Sequence, residues 1–192
     1  MYISCFGLIG AGKTTLAERL SEKLNCALYR EPVDKNPYLD AFYSDMPRYA
    51  FQMEMYLLNY RFTQQQRIVK GGVPVVQDRS FYEDAAFARL LHRDNIMNSW
   101  DFKTYEALTS TLTSILPPPD VILHLDVTPE TAHARIMHRG RTCEQNMSID
   151  YLVKLKEEYG RLLDDMAEKN IRVVTVDWNE FKSAEEVVQA LM

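Results

Sequence analysis

The stretch Gly7-Leu8-Ile9-Gly10-Ala11-Gly12-Lys13-Thr14 fits the pattern G-x-x-x-x-G-K-[ST] without mismatch. Residue types at this spacing cradle a polyphosphate. Main-chain N–H groups of Gly7, Gly10, Ala11 and Gly12 face the anion, Lys13 reaches its outer phosphates, and the Thr14 hydroxyl ligates Mg²⁺, with Thr15 beside it at the helix start. Phosphoryl transfer asks for charge neutralisation and positioning more than covalent chemistry. Three other charged groups meet that need. Glu31 can take a proton from an attacking hydroxyl, or is a surface carboxylate before Pro32. Asp78 can hold Mg²⁺, and Arg79 can steady a phosphate or lock Glu31 in a bidentate pair; the plainer alternative is a structural ion pair. Arg135, Arg139 and Arg141 stand as Arg-x-x-x-Arg-Gly-Arg, which places two guanidinium groups on one helix face and a third after a turn. Such a trio repels itself unless an anion sits among it, as under a closing lid at about 138–147; otherwise it only complements the helix dipole.

These groups need a frame, and the chain alternates strand and helix in the way that builds one. Tyr2–Phe6 reads as an apolar strand, followed by the glycine loop and a helix. Further strands are expected at 26–29, 73–77, 121–125 and 171–176. Long helical stretches fall at about 48–70, 81–93, 99–115 and 148–168. Thr128-Pro129 opens another helix, and Ser183-x-x-Glu186 is a capping box for the last. Strands alternating with helices predict a three-layer α/β/α fold with a five-stranded parallel sheet, here one domain over 1–192. In such sheets ligands bind beyond the carboxyl ends of the strands, where the glycine loop, Glu31, Asp78-Arg79 and the loop after Asp177 all fall. On the helix from about 48, Phe51, Met55, Leu58 and Phe62 form an apolar stripe flanked by Glu54 and Arg61. That flank is either an exposed border or the polar wall of a crevice, and Asp84 on a later helix is placed to face Arg61.

The bulk numbers exclude several classes. The 192 residues carry a net charge of −5, which does not suggest a nucleic-acid partner. No apolar run is long enough to span a membrane. Cys5, Cys26 and Cys143 are too far apart for a metal site and suit a reducing, cytoplasmic setting, with Cys5 and Cys26 expected in the core. His124, inside a strand, is expected as a core histidine. The run from Lys154 to Glu158 reads as a solvated helix face.

Taken together, the phosphate loop, Glu31-Pro32-Val33, Tyr43, Asp78-Arg79-Ser80 and Arg135-x-x-x-Arg139-Gly140-Arg141 followed by Glu144 resemble the deoxynucleoside kinases. Asp34-x-Asn36-Pro37-Tyr38-Leu39 looks most like the short bacterial and viral purine-type members. The resemblance covers essentially the whole length. It implies transfer of a phosphate from ATP to the 5′-hydroxyl of a deoxynucleoside, with Mg²⁺ and usually as a homodimer. On that resemblance Glu31 is the base with Arg79 beside it, and Tyr43 and Glu144 hold the 3′-hydroxyl. Arg61 and Asp84 recognise the base, and the loop Asp177-Trp178-Asn179-Glu180-Phe181 holds the adenine of ATP.

The chain departs from that pattern at two places. Asp78 stands where many members have Glu. Glu54 stands where the family usually has a Gln against the nucleobase. An ionised Glu only accepts hydrogen bonds, which suits guanine's adjacent N1–H and N2–H₂; adenine and cytosine would need it protonated. The expectation is therefore a tilt toward deoxyguanosine, with a broad-specificity enzyme as the alternative. A thymidylate-type monophosphate kinase would share the loop, the Asp-Arg pair and the arginine lid, but usually carries Glu-Pro-Gly in place of Glu31-Pro32-Val33. A non-catalytic interaction module would not need Lys13, Thr14, Glu31, Arg79 and the arginines together.

Overall fold

The computed structural model describes residues 1–31 and 36–191; Pro32, Val33, Asp34 and Lys35, which carry part of the resemblance, lie outside the described residues, as does Met192. Five strands, β1 (Tyr2–Gly7), β2 (Ala27–Tyr29), β3 (Val75–Asp78), β4 (Val121–Asp126) and β5 (Val173–Asp177), form one sheet in the order β2-β3-β1-β4-β5. Every pairing is parallel, with Cys5 opposite Asp78 and Gly7 opposite Leu125. Such a sheet must be covered on both faces, and β1 shows why: all its residues are buried. The helices that cover it are α1 (Lys13–Lys23), α2 (Leu39–Ser44), α3 (Met46–Gly71), α4 (Asp84–Arg93), α5 (Ser99–Ile115), α6 (Pro129–Arg139), α7 (Ile149–Glu168) and α8 (Ala184–Leu191). The main core joins Ile3, Phe6 and Leu123 of the sheet to Leu16 and Leu20 of α1 and Leu155 of α7.

Element ends follow local chemistry. The Asp45 side chain accepts the Arg48 N–H and Pro47 sits in the first turn, so α3 begins at Met46, earlier than the apolar stripe alone suggests. It stops at Gly72, which takes the left-handed conformation with φ 61°. Strand β3 starts at Val75, since Val73 is exposed and Pro74 precedes the ladder. The expected stripe on α3 is present: Leu58 is buried, with Phe51, Met55 and Phe62 packed beside it around Phe81 and Tyr105. Two expectations change, and one helix was not foreseen. Cys26 is only half-buried, because it precedes the short edge strand β2. Glu158 is buried rather than solvated, held by Arg93 at 2.8 Å and Arg161 at 2.6 Å. Helix α2 has too few turns for a sequence period, yet it forms by packing Phe42 on Ala50 and Met53 of α3. His124 is buried as expected, its Nδ1 3.4 Å from the Thr175 hydroxyl. No helix among the described residues is long and apolar enough to cross a membrane.

Candidate active site at the carboxyl edge of the sheet

The sheet order puts β1 between β3 and β4, which run on to opposite sides, and the glycine loop leaves β1 at that switch point. A cleft of about 790 Å³ opens there. Gly10 and Gly12 have φ of 81° and 92°. A methyl group on Gly10 would come within 2.4 Å of the Ala132 carbonyl oxygen, so only glycine fits between the loop and α6. Gly12 is the N-cap of α1; no side chain caps this end, and no acidic residue stands in its first turn. The N–H groups and positive dipole end are therefore left for an anion. Lys13 is folded back over the loop, donating to the carbonyl oxygens of Gly7 at 2.8 Å and Leu8 at 2.7 Å. Thr14 and Thr15 are exposed and line the cleft. The Thr14 hydroxyl donates to Asp78 at 2.5 Å, while the other oxygen of Asp78 is buried without a hydrogen-bond partner among the described residues. Burial and the nearby Glu31 charge push the Asp78 carboxyl up from its ordinary value.

In the middle of the cleft stands Glu31. Its carboxylate takes Arg61 at 2.5 Å on one oxygen and Arg79 at 3.2 Å on the other. Burial alone would raise its pKa, but Arg61, Arg79 and Lys13 outweigh burial and hold it at about 2. Arg61, buried to 2% exposure, also pairs with Asp84 at the start of α4, as the spacing on α3 suggested. Glu54, Leu57 and Arg61 recur at helical spacing and share the cleft-facing side of α3, so the charged flank is a crevice wall and not an exposed border. Tyr43 from α2, Tyr151 from α7 and Phe87 from α4 complete the wall, and the Arg79 guanidinium lies 5.1 Å over the Phe87 ring.

The arginine trio resolves differently from its sequence. Arg139 and Arg141 both pair with Glu144, Arg141 at 2.9 Å, so the anion expected among them comes from within the chain. Glu144 lies in a short 3₁₀ turn, Thr142–Glu144, that packs on α2. Arg135 turns the other way. It donates to the carbonyl oxygens of Ala11, Trp178 and Asn179 and lies 4.1 Å over the Phe181 ring. Phe181 is 60% exposed and lines the cleft. Asp177 does not line it; its carboxylate accepts the Asn179 N–H at 3.0 Å and side-chain amide at 2.8 Å, shaping the loop. Asp84 and Gly7 also stand behind the lining rather than in it.

Two residues were not singled out in the sequence. Glu83 is buried, accepts the Gly7 N–H at 2.8 Å, pairs with Arg79 at 2.8 Å and accepts the Tyr159 hydroxyl. Tyr159 in turn receives Arg79 at 3.0 Å. This network ties the first glycine of the loop to the arginine that holds Glu31. The available signal was Ser80-x-x-Glu83, which reads as a capping box. Here Glu83 caps nothing with its side chain, because α4 begins beside the loop.

An anion cradle, an ionised carboxylate held by two guanidinium groups and a partly apolar pocket beyond it can position a polyphosphate against a hydroxyl-bearing ring compound. Comparison with known proteins agrees. The deoxynucleoside kinase family model matches residues 3–192. The chain is 43% identical to a deoxyadenosine kinase of Dictyostelium discoideum over 99% of this chain and 77% of that one. It is 38% identical to a deoxyadenosine/deoxycytidine kinase of Bacillus subtilis (strain 168), over 82% and 74% of the two chains. It superposes on a deoxyadenosine kinase from M. mycoides, solved with dCMP and dCDP, with a TM-score of 0.89 at 29% identity, covering 100% of this chain and 98% of that one. Fold, cleft and sequence thus agree that this chain belongs to the deoxynucleoside kinase family, and that it is a phosphotransferase acting on deoxynucleosides.

Proposed function

We propose that the enzyme moves the γ-phosphoryl group of ATP onto the 5′-hydroxyl of a deoxynucleoside, and that the cleft holds the two substrates end to end. The observation that carries this reading is the position of Glu31, ionised between Arg61 and Arg79 and lining the same cleft as Lys13 and Thr14. The triphosphate lies on the main-chain N–H groups of the loop, with Lys13 turned outward from Gly7 and Leu8 to its outer phosphates. Its adenine rests at Phe181, beside the guanidinium of Arg135, while Asp177 keeps that loop in shape. Arg139 and Arg141 form the lid at about 138–147 and, released from Glu144, meet the transferring phosphoryl group. The deoxyribose lies between Tyr43 and Glu144, and the base reaches Glu54 and Arg61, which Asp84 holds from behind.

The hydroxyl oxygen forms its bond to the γ-phosphorus as the bond to the bridging oxygen breaks, and its proton passes to Glu31. A carboxylate held at about 2 suits an acceptor that orients the hydroxyl and takes its proton late, as a loose phosphoryl transition state allows. Asp78 and Thr14 fit Mg²⁺: both offer oxygen, and one Asp78 oxygen is buried without a hydrogen-bond partner among the described residues. Bound there, the ion would neutralise β- and γ-phosphate charge. The chain acts as one domain over 1–192, as a homodimer in the cytoplasm.

The test is a panel of deoxynucleosides and their 5′-monophosphates with ATP. ATP consumption with nucleosides alone supports the reading; consumption only with monophosphates sinks it. Glu31→Gln should lower kcat by about 10²–10⁴ while nucleoside still binds. Loss of binding at an unchanged rate would mean that Glu31 only positions the sugar.

A further inference from the structure

Among the described residues, Glu54 is the buried acid of the cleft wall that the reaction itself leaves unused. It is 3% exposed, it lines the cleft from α3, and its Oε2 has no hydrogen-bond partner among the described residues. The cations around it already share their charge with other groups, although Arg61 keeps a buried Nε–H without a hydrogen-bond partner among the described residues. Arg61 holds Glu31 and Asp84, Arg79 holds Glu31 and Glu83, and Lys13 holds loop carbonyls. Two guanidinium groups thus already face three carboxylates. Tyr105 from α5 and Tyr151 from α7 lie close enough to feel the Glu54 charge and bring no positive charge. A fourth carboxylate, ionised and buried with an unpartnered oxygen, would be strongly disfavoured.

We infer that Glu54 enters the substrate complex as a neutral carboxylic acid, offering the nucleobase one O–H donor and one carbonyl acceptor side by side. The inference rests on the cleft reading above, in which the base lies against α3. Burial pushes the Glu54 carboxyl up to about 8; Arg61 and Arg79 offset this only in part, and Glu31 adds to it. The neutral acid matches adenine, whose N6–H₂ stands beside N1, and cytosine, whose N4–H₂ stands beside N3. Guanine is served by both forms: N1–H with O6 meets the acid, and N1–H with N2–H₂ meets the carboxylate. The sequence expectation of a tilt toward deoxyguanosine assumed an ionised Glu54. The buried, unpartnered acid reverses that premise and admits adenine and cytosine at neutral pH.

The consequence is a base preference that changes with pH. The experiment measures kcat/KM for deoxyadenosine and deoxyguanosine from about pH 6 to about pH 9 in the intact enzyme, and takes their ratio. The ratio cancels every group common to both reactions, Lys13 and the phosphates included. The acid form is present below about 8, so the ratio should hold there and fall above it, by up to about tenfold per pH unit. In Glu54→Gln, an isosteric amide with a permanent donor and acceptor, the ratio should be flat at the wild type's neutral value. A flat wild-type ratio, or a step that persists in Glu54→Gln, overturns the inference. If the wild-type ratio is flat but Glu54→Ala raises KM for the nucleosides, the neutral acid fails and the cleft reading stands. If neither variant moves any nucleoside KM, the base does not lie against α3 and both fail.

Discussion

At its phosphate end the cleft is made of main chain: N–H groups at an uncapped helix start, and glycines pressed against α6 so closely that Gly10 has no room for a methyl. At its other end it is made of buried side-chain charges, Glu31, Arg61, Arg79 and Asp84, with Glu54 beside them. The main chain of the first end carries no titrating group and holds one shape, although burial pushes Lys13, folded over it, down to about 7. The second holds each group in a state set by its neighbours, with Glu31 pushed down to about 2 and Glu54 up to about 8 on the same wall. On the proposed reading, recognition of the phosphates is rigid and indifferent to the acceptor. On the same reading, recognition of the acceptor is electrostatic and adjustable by single substitutions.

Changes at the phosphate end should act alike on every nucleoside, and changes at the other end should sort the nucleosides. The largest effect is expected from Asp84→Ala, which leaves the buried Arg61 charge with one partner fewer. Urea unfolding should show a loss of about 3–5 kcal/mol. An unchanged midpoint would mean that Arg61 relaxes toward water and the base end is not a closed charge network. Next, Lys13→Ala should lower kcat by about 10²–10³, by the same factor for each accepted nucleoside. A factor that differs between bases would break the division between the two ends. Glu83→Gln reaches both ends, because Glu83 holds Gly7 and Arg79 together. It should cost about 1–3 kcal/mol of stability, read by the same unfolding experiment, and raise KM for both substrates. A rise for one substrate alone would show that the link is not shared. The smallest effect concerns the acid limb of kcat/KM. Glu31 is ionised above about 2, so the wild type should show no loss attributable to it between about pH 7 and about pH 5. Arg61→Gln removes the strongest cation beside Glu31, its carboxyl rises, and the acid limb moves up. Superimposable limbs in the two enzymes would refute the assignment of that charge to Arg61.

The phosphate end was legible because its chemistry sits in consecutive residues, where a pattern and a strand–loop–helix context coincide. The parallel five-stranded sheet was legible from alternation alone. Arg61 facing Asp84 was readable from helical spacing, but Glu144 as the partner of Arg139 and Arg141 was not, since that depends on how the chain turns at Gly140. Asp177 was expected in the adenine loop from the resemblance; its carboxylate accepts from Asn179, two residues on, a local turn that a motif does not disclose. Glu83 was hidden by a capping pattern that the fold does not use. The protonation of Glu54 was beyond sequence, because it depends on burial and on the charges of Glu31, Arg61 and Arg79, which come from three segments of chain.

The contact between Gly10 and the Ala132 carbonyl has a mechanical result. Helix α6 is clamped to the phosphate cradle at its first turns, and Arg135 adds a second clamp through Ala11. A segment that swings over the phosphates must therefore pivot further along, at Gly140, where φ is 71° and a methyl would meet nothing. Arg135 belongs to the chassis, main-chain travel is left to the residues from Gly140 onward, and Arg139 at the helix end can join only by swinging its side chain.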